Sequence, residues 1–399
     1  MSGFEFNSVG SVLVEDGAAS RLGQIVKERF SPESVLLVTD AGLIKLGLLE
    51  PVLASFEKAS IPVTVFDGVE ADPSDATVQK AALIAKSYRT SLVVGFGGGS
   101  SMDVAKLAAV LGYTVDRHVP GTSSAFVKEK EQSLADLYGV DQVKGHRLPL
   151  VQVPTTAGTG SEVTPVSIVT TGENTKMGVV SSKIIADLAV LDAELTIGLP
   201  AHITAATGID AMVHAIEAYT SAIKKNPMSD ALAHRALMLL GANIVAACKD
   251  GSNLEARRAM LTGAMLAGAS FANAPVGAVH ALAYPLGGRF HIPHGLSNSL
   301  VLPHVLKFNA PNAKGLYAEL ADLMRLGSGS DEAKTEAFIE WLETIADEVG
   351  IERRLRDMGI TRDDLPMLAD DAMLQSRLLV NNPRTVTRDD ALKIYEAAW

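Results

Sequence analysis

The chain changes its period half-way along, and that change constrains the fold more than any single motif does. Between residues 31 and 192, short β-branched runs alternate with amphipathic helical stretches. Residues 34–39, 61–66, 92–96, 148–153 and 188–191 read as buried strands, with helices such as 51–60 and 74–88 between them. Such alternation indicates a parallel sheet with helices on both faces. Beyond Pro200 the pattern is helical only, over residues 202–220, 229–249, 254–273, 332–349 and 388–398. Gly350 falls where a helix C-cap belongs, and Thr387 where an N-cap does. The expected fold is an α/β N-terminal nucleotide-binding domain over residues 1–196, followed by an all-α C-terminal domain over 197–399.

A length of 399 residues suits two such domains. The net charge of -11, without a basic block, argues against nucleic acid or an anionic membrane as partner. No uncharged apolar stretch reads as long enough to cross a bilayer. The start Met1-Ser2-Gly3-Phe4-Glu5-Phe6-Asn7 lacks a basic, apolar leader pattern, so the expected compartment is the cytoplasm. The single cysteine, Cys248, excludes an internal disulfide and a cysteine-rich zinc module, and reads as a small buried residue on a helix.

Three segments carry chemistry. Val93 to Lys106 runs strand, glycine turn, helix start; Gly97, Gly98 and Gly99 let a phosphate approach the backbone, and the N–H groups of the helix start face it. The segment matches neither the P-loop nor the full dinucleotide fingerprint. Asp40 ends the strand 34–39, where a carboxylate can accept from a ribose diol; an ordinary turn aspartate before Ala41-Gly42 fits the same residues. Pro154-Thr155-Thr156-Ala157-Gly158-Thr159-Gly160-Ser161-Glu162 is a hydroxyl-rich loop at the carboxyl end of a strand, a place where α/β sheets bind ligands.

A fourth signal is a histidine cluster. Asp210 and His214 stand four apart on one helical face, and His280, His291 and His294 follow in a segment almost without charge. From Thr262 to Pro303 there is no Asp, Glu or Lys, and the one Arg is Arg289. Histidines in so apolar a setting need partners, and a shared cation supplies one. A carboxylate with two or three imidazoles suits Fe²⁺, Zn²⁺ or Mn²⁺. His202, His234 and His304 have nothing at ligand spacing and read as structural.

Together these motifs resemble the iron-containing (group III) alcohol dehydrogenases, nearly end to end and in order: Gly97-Gly98-Gly99-Ser100-x-x-Asp103, the loop from Pro154 to Glu162, Gly208-x-Asp210-x-x-x-His214, and His280 to Gly295. The resemblance implies the dehydroquinate synthase-like architecture shared by that family. It implies Asp210, His214, His280 and His294 as metal ligands, with Fe²⁺ the expected ion and Zn²⁺ or Mn²⁺ the alternatives. It implies NAD as cofactor, with Gly97, Gly98, Gly99 and Ser100 on the pyrophosphate and Asp103 in the same turn. Thr155, Thr156, Thr159 and Ser161 then line the cofactor site, Lys176 reaches the ribose, and Asp40 marks a preference for NAD. A homodimer is expected.

One position departs from the family pattern: many members carry a second histidine where this chain has Tyr284. With an ordinary pKa of about 10, a tyrosine shuttles protons poorly near neutrality. The reading is thus an NAD-dependent dehydrogenase of a small neutral alcohol or aldehyde, in which a metal polarises the substrate oxygen. The alternatives are a maleylacetate-type reductase or a hydroxyacid–oxoacid transhydrogenase, both of which need cations that this segment lacks, and a catalytically weak regulatory relative.

Overall fold

The computed structural model describes residues 3–113, 131–172 and 175–399. Contacts divide the chain into two compact units: Ser8–Thr155 with Ser161–Leu195, and Met1–Asn7, Thr156–Gly160 and Thr196–Trp399. The second unit thus gathers two segments from the N-terminal half. The loop 156–160 joins it because the Gly158 backbone lies against Thr207, and that of Gly160 against Gly268.

The first unit contains strands β1 (Val12–Val14), β2 (Val35–Val38), β3 (Val63–Phe66), β4 (Leu92–Gly97), β5 (Gly139–Val140), β6 (Leu150–Pro154), β7 (Val166–Thr171), β8 (Thr175–Val180) and β9 (Leu188–Leu191). Its helices are α1 (Leu22–Phe30), α2 (Ala41–Lys45), α3 (Glu50–Lys58), α4 (Asp75–Ser87) and α5 (Gly99–Leu111). Six strands form a parallel sheet in the order β1-β9-β6-β4-β2-β3. Along β2, Val35 and Leu37 enter one hydrophobic core, while Leu36 and Val38 enter the other. Both faces are covered, which is why these strands read as unbroken apolar runs. A smaller sheet, β5-β8-β7, holds the antiparallel pair β7 and β8, which alternating runs did not foreshadow.

From β2 the chain first moves outward to β3, then returns to β4 on the other side of β2. That reversal places a crevice at the carboxyl ends of β2 and β4, the usual ligand position in an open α/β sheet.

The second unit is helical: α6 (Ala201–Thr220), α7 (Pro227–Lys249), α8 (Leu254–Phe271), α9 (Ala278–Phe290), α10 (His294–Met324), α11 (Asp331–Glu348), α12 (Leu365–Met373), α13 (Ser376–Leu379) and α14 (Arg388–Ala398). The centre is α6, buried from Gly208 to Thr220 and packed by α7, α8 and α10. A helix enclosed on all sides has no polar stripe, so the polar residues it carries stand out.

Periodicity did not foreshadow α9 and α10, because Pro285 interrupts one, and Pro303 and Pro311 the other. An internal proline costs about 3 kcal/mol. Burial of both helices over most of their first turns outweighs it. Helix α7 is long and apolar enough to cross a bilayer by length and composition, although it is not free of charge as the expectation required. It carries Asp230 and Arg235, and packs along α6 and α8. Cys248, expected to be buried, is only half-buried on α7, with Sγ 3.7 Å from the Ala201 carbonyl.

Candidate metal centre and nucleotide site

The metal centre is built on three helices. Helix α6 supplies Asp210 and His214, α9 supplies His280, and α10 begins with His294. One ligand atom from each of the four lies within 4.8 Å of every other. Asp210 Oδ1 is 3.6 Å from His294 Nε2 and 3.9 Å from His280 Nε2. The rings of His214 and His280 stack with centroids 4.8 Å apart, and those of His280 and His294 are 5.3 Å apart. Asp210, His214 and His280 are buried, whereas the His294 side chain is 43% exposed. The centre is therefore open on the His294 side, where a substrate can approach.

The electrostatics suit a cation. Burial works against the Asp210 charge, but His214, His294, His280 and a hydrogen bond from Asn298 together hold its carboxyl below the usual range. Burial drives His214 down to about 3 against the pull of Asp210, so its imidazole is neutral at physiological pH. His214 Nδ1 is also buried without a hydrogen-bond partner. Three imidazoles and a carboxylate within this radius fit a divalent transition metal, whose N and O ligands bind at about 2.0–2.2 Å.

Two residues that the sequence reading passed over complete the centre. Glu217 on α6 brings Oε2 within 2.6 Å of His280 Nδ1, and its Oε1 accepts from the Val279 N–H at 2.7 Å. Asn298, one turn into α10, donates from Nδ2 to Asp210 Oδ1 at 2.6 Å. The signal for Glu217 was its place seven residues after Asp210, on the same face of a helix otherwise without charge there. His291, by contrast, is exposed and caps α9 in a left-handed conformation, apart from the cluster.

Tyr284, four residues after His280, lies with its ring centroid 5.9 Å from that of His294. It borders the open side of the centre. Arg289 faces elsewhere in its bonding, with Nε 2.7 Å from Asp371 Oδ2.

In the α/β unit, the β4–α5 turn lies at the sheet's switch point. Gly97 takes φ +148°, and a Cβ there would stand 2.7 Å from Ser101 Oγ. Helix α5 starts after Gly98 with no side-chain cap, so the N–H groups of Gly99 and Ser100 are available to an anion. Thr155 follows β6 and donates its N–H to the Gly97 carbonyl at 3.0 Å. Asp40 lies two residues beyond β2, and its Oδ1 caps α2 by accepting from Gly42 at 2.8 Å and Leu43 at 3.1 Å. The turn aspartate and the ribose acceptor are thus compatible, because capping occupies one oxygen.

Three expected cofactor residues are engaged within the protein. Asp103 Oδ1 accepts from Ser161 Oγ at 2.6 Å, and its Oδ2 from the Ile168 N–H at 2.9 Å. Ser161 in turn accepts from the buried Lys106 ammonium at 2.7 Å. Asp103 and Ser161 therefore fix the loop to α5. Burial pushes the neighbouring Glu162 carboxyl up to about 7, with Lys106 opposing the shift. Lys176 on β8 pairs with Asp72 at 2.5 Å and donates to Thr170 at 3.1 Å. Thr156 and Thr159 are half-buried and belong with the helical unit.

A parallel sheet with a glycine turn at its switch point, and a helical unit in which four residues could hold one metal ion, suit an enzyme that uses a nucleotide and a divalent metal. Comparison with known proteins agrees. Residues 10–193 match the family described as iron-containing alcohol dehydrogenase, and residues 204–399 the C-terminal part of the Fe-containing alcohol dehydrogenase family. The chain belongs to that family. It is 39% identical to long-chain-alcohol dehydrogenase 1 of Geobacillus thermodenitrificans, over 95% of this chain and 93% of the relative. Among solved structures, a 1,3-propanediol oxidoreductase superposes with TM-score 0.91 at 33% identity, covering 100% of both chains. A sulfoacetaldehyde reductase of Bifidobacterium kashiwanohense in complex with NAD⁺ superposes with TM-score 0.86 at 27% identity, covering 100% of this chain and 99% of that one.

Proposed function

We propose that the protein is an NAD-dependent dehydrogenase of a small neutral alcohol or aldehyde, working with Fe²⁺. The observation that carries this reading is the convergence of Asp210, His214, His280 and His294 within 4.8 Å, open on the His294 side. A divalent cation there supplies a Lewis acid for the substrate oxygen. The reaction class is hydride transfer between a carbinol carbon and NAD.

The chain's own residues divide the work. The three imidazoles and Asp210 hold the cation, while the Asn298 amide orients the Asp210 carboxylate. Gly97, Gly98, Gly99 and Ser100 seat the pyrophosphate through backbone N–H groups. Thr155, Thr156 and Thr159 line the cofactor site, with Asp103 and Ser161 shaping it from behind. Lys176 reaches the ribose by exchanging its bond to Asp72. The apolar surroundings favour a neutral substrate: between residues 262 and 303 the one cation, Arg289, is already paired with Asp371. The α/β part, residues 1–196, serves the cofactor, and residues 197–399 serve metal and substrate.

The test is turnover of an alcohol panel by metal-stripped protein reloaded separately with Fe²⁺, Zn²⁺ and Mn²⁺, with NAD beside NADP. Highest turnover with Fe²⁺ and a clear preference for NAD are expected. Asp40→Gly should narrow that preference, chiefly by improving NADP binding, because the Asp40 carboxylate repels a 2′-phosphate. Equal use of both cofactors by the unaltered protein overturns the role of Asp40. In the same panel, Tyr284→Phe should keep kcat within a few-fold and change which alcohols fit, since its ring walls the open side. A hundredfold fall in kcat with metal content intact would instead make its hydroxyl part of the proton path.

The same reading includes a cytoplasmic homodimer. Its support is β1, an edge strand of the larger sheet with Val12 and Val14 exposed, an arrangement that invites pairing. A sedimentation mass equal to one chain would count against it.

A further inference from the structure

Glu217 is buried at 5% exposure in the middle of α6, and both of its oxygens have partners. Oε1 accepts from the Val279 N–H at 2.7 Å, which ties it to the first turn of α9. Oε2 stands 2.6 Å from His280 Nδ1. A carboxylate has only lone pairs to offer, so this contact requires the imidazole to carry its hydrogen on Nδ1. A neutral ring then presents a lone pair at Nε2.

The other side of the ring permits the same tautomer. His280 Nε2 faces Asp210 Oδ1 at 3.9 Å and Asn298 Nδ2 at 3.4 Å. The Asn298 amide nitrogen is itself held in a hydrogen bond to Asp210, so that atom is a donor and meets a lone pair, not a hydrogen. The 2.6 Å contact with Glu217 thus selects the tautomer, and the Asn298 amide, 3.4 Å from Nε2 of both His280 and His294, is compatible with it. We infer that Glu217 is a positioning residue: it locks His280 with its hydrogen on Nδ1, so that Nε2 is ready to bind a divalent cation.

The inference rests on the four-residue metal centre, and its test separates the two. In Glu217→Gln, one amide oxygen remains to accept from the Val279 N–H, so the tie to α9 survives. The amide NH₂ that replaces Oε2 cannot accept from His280 and turns its hydrogen towards Nδ1. The hydrogen of His280 then moves to Nε2. Metal-free Glu217→Gln should melt within a few degrees of the unaltered protein. Its dissociation constant for Zn²⁺ or Co²⁺, measured by chelator competition, should rise about 10–100-fold. In histidine-labelled, metal-free protein, ¹⁵N spectra should place the His280 hydrogen on Nδ1 in the unaltered chain and on Nε2 in the variant.

Unaltered affinity in a folded Glu217→Gln overturns the inference. So does an Nε2-bound hydrogen in the unaltered chain, a result that needs no variant to fold. If His280→Ala itself keeps the metal, His280 is no part of the centre and the inference falls with it; if only Glu217→Gln keeps it, the fault lies with Glu217 alone.

Discussion

His280→Ala is expected to abolish metal retention and turnover together, while the chain stays folded. The loss in kcat/KM should exceed about 10²-fold, since polarisation by a Lewis acid contributes several kcal/mol to the barrier. Folding should survive because α9 buries Ala278, Val279, Ala281, Leu282 and Leu286 independently of the imidazole. A fall in melting temperature is still expected. The substitution leaves Glu217 Oε2 buried without its partner, which costs about 1–3 kcal/mol. Elemental analysis decides the matter: one metal per chain in the purified variant would remove His280 from the centre.

Gly295→Ala is expected to disturb the same centre without touching a ligand. A Cβ at Gly295 would stand 2.2 Å from the Ala206 carbonyl oxygen and 3.3 Å from the Asp210 Cβ. No side chain can yield there, because the obstacle is the backbone of α6, and α6 is itself packed on several sides. The first turn of α10 must move away, and it carries both His294 and Asn298. Overpacking of this kind costs about 1–3 kcal/mol. At about 2–4 °C per kcal/mol for a unit of this size, melting should fall by roughly 2–12 °C. Metal affinity should fall with it, because Asp210 and His294 are held at 3.6 Å by this crossing. Calorimetry and chelator competition on the same sample check both effects. Melting and affinity equal to the unaltered protein would mean that α6 and α10 do not approach so closely.

Metal and nucleotide elements differ in how far the residues themselves disclosed them. Asp210 and His214 were legible because both lie on one helix, where a spacing of four fixes their shared face. The glycine turn was legible for a similar reason: strand, turn and helix start are consecutive in the chain. Asp103 and Ser161 illustrate the limit. The family resemblance placed both near a cofactor, but their 2.6 Å hydrogen bond joins positions 58 residues apart. That bond makes each a support of the other, whatever else they touch. Lys176 likewise took its partner, Asp72, from a distant part of the chain.

By itself, then, the sequence determined the alternation of strands and helices in the first half, the buried character of the parallel strands, and the helical nature of the second half. These follow from hydrophobic period, which reports which faces of an element avoid water. Only the tertiary structure decided that α9 and α10 are helices despite Pro285, Pro303 and Pro311, since burial from neighbouring helices outweighs the local cost. It also decided that Glu217 meets His280, that Asn298 meets Asp210, and that Gly295 must lack a side chain. Period tells an element which face to bury and is silent about what lies opposite; hydrogen bonds and close approaches depend on that second fact, which exists only when distant segments have packed.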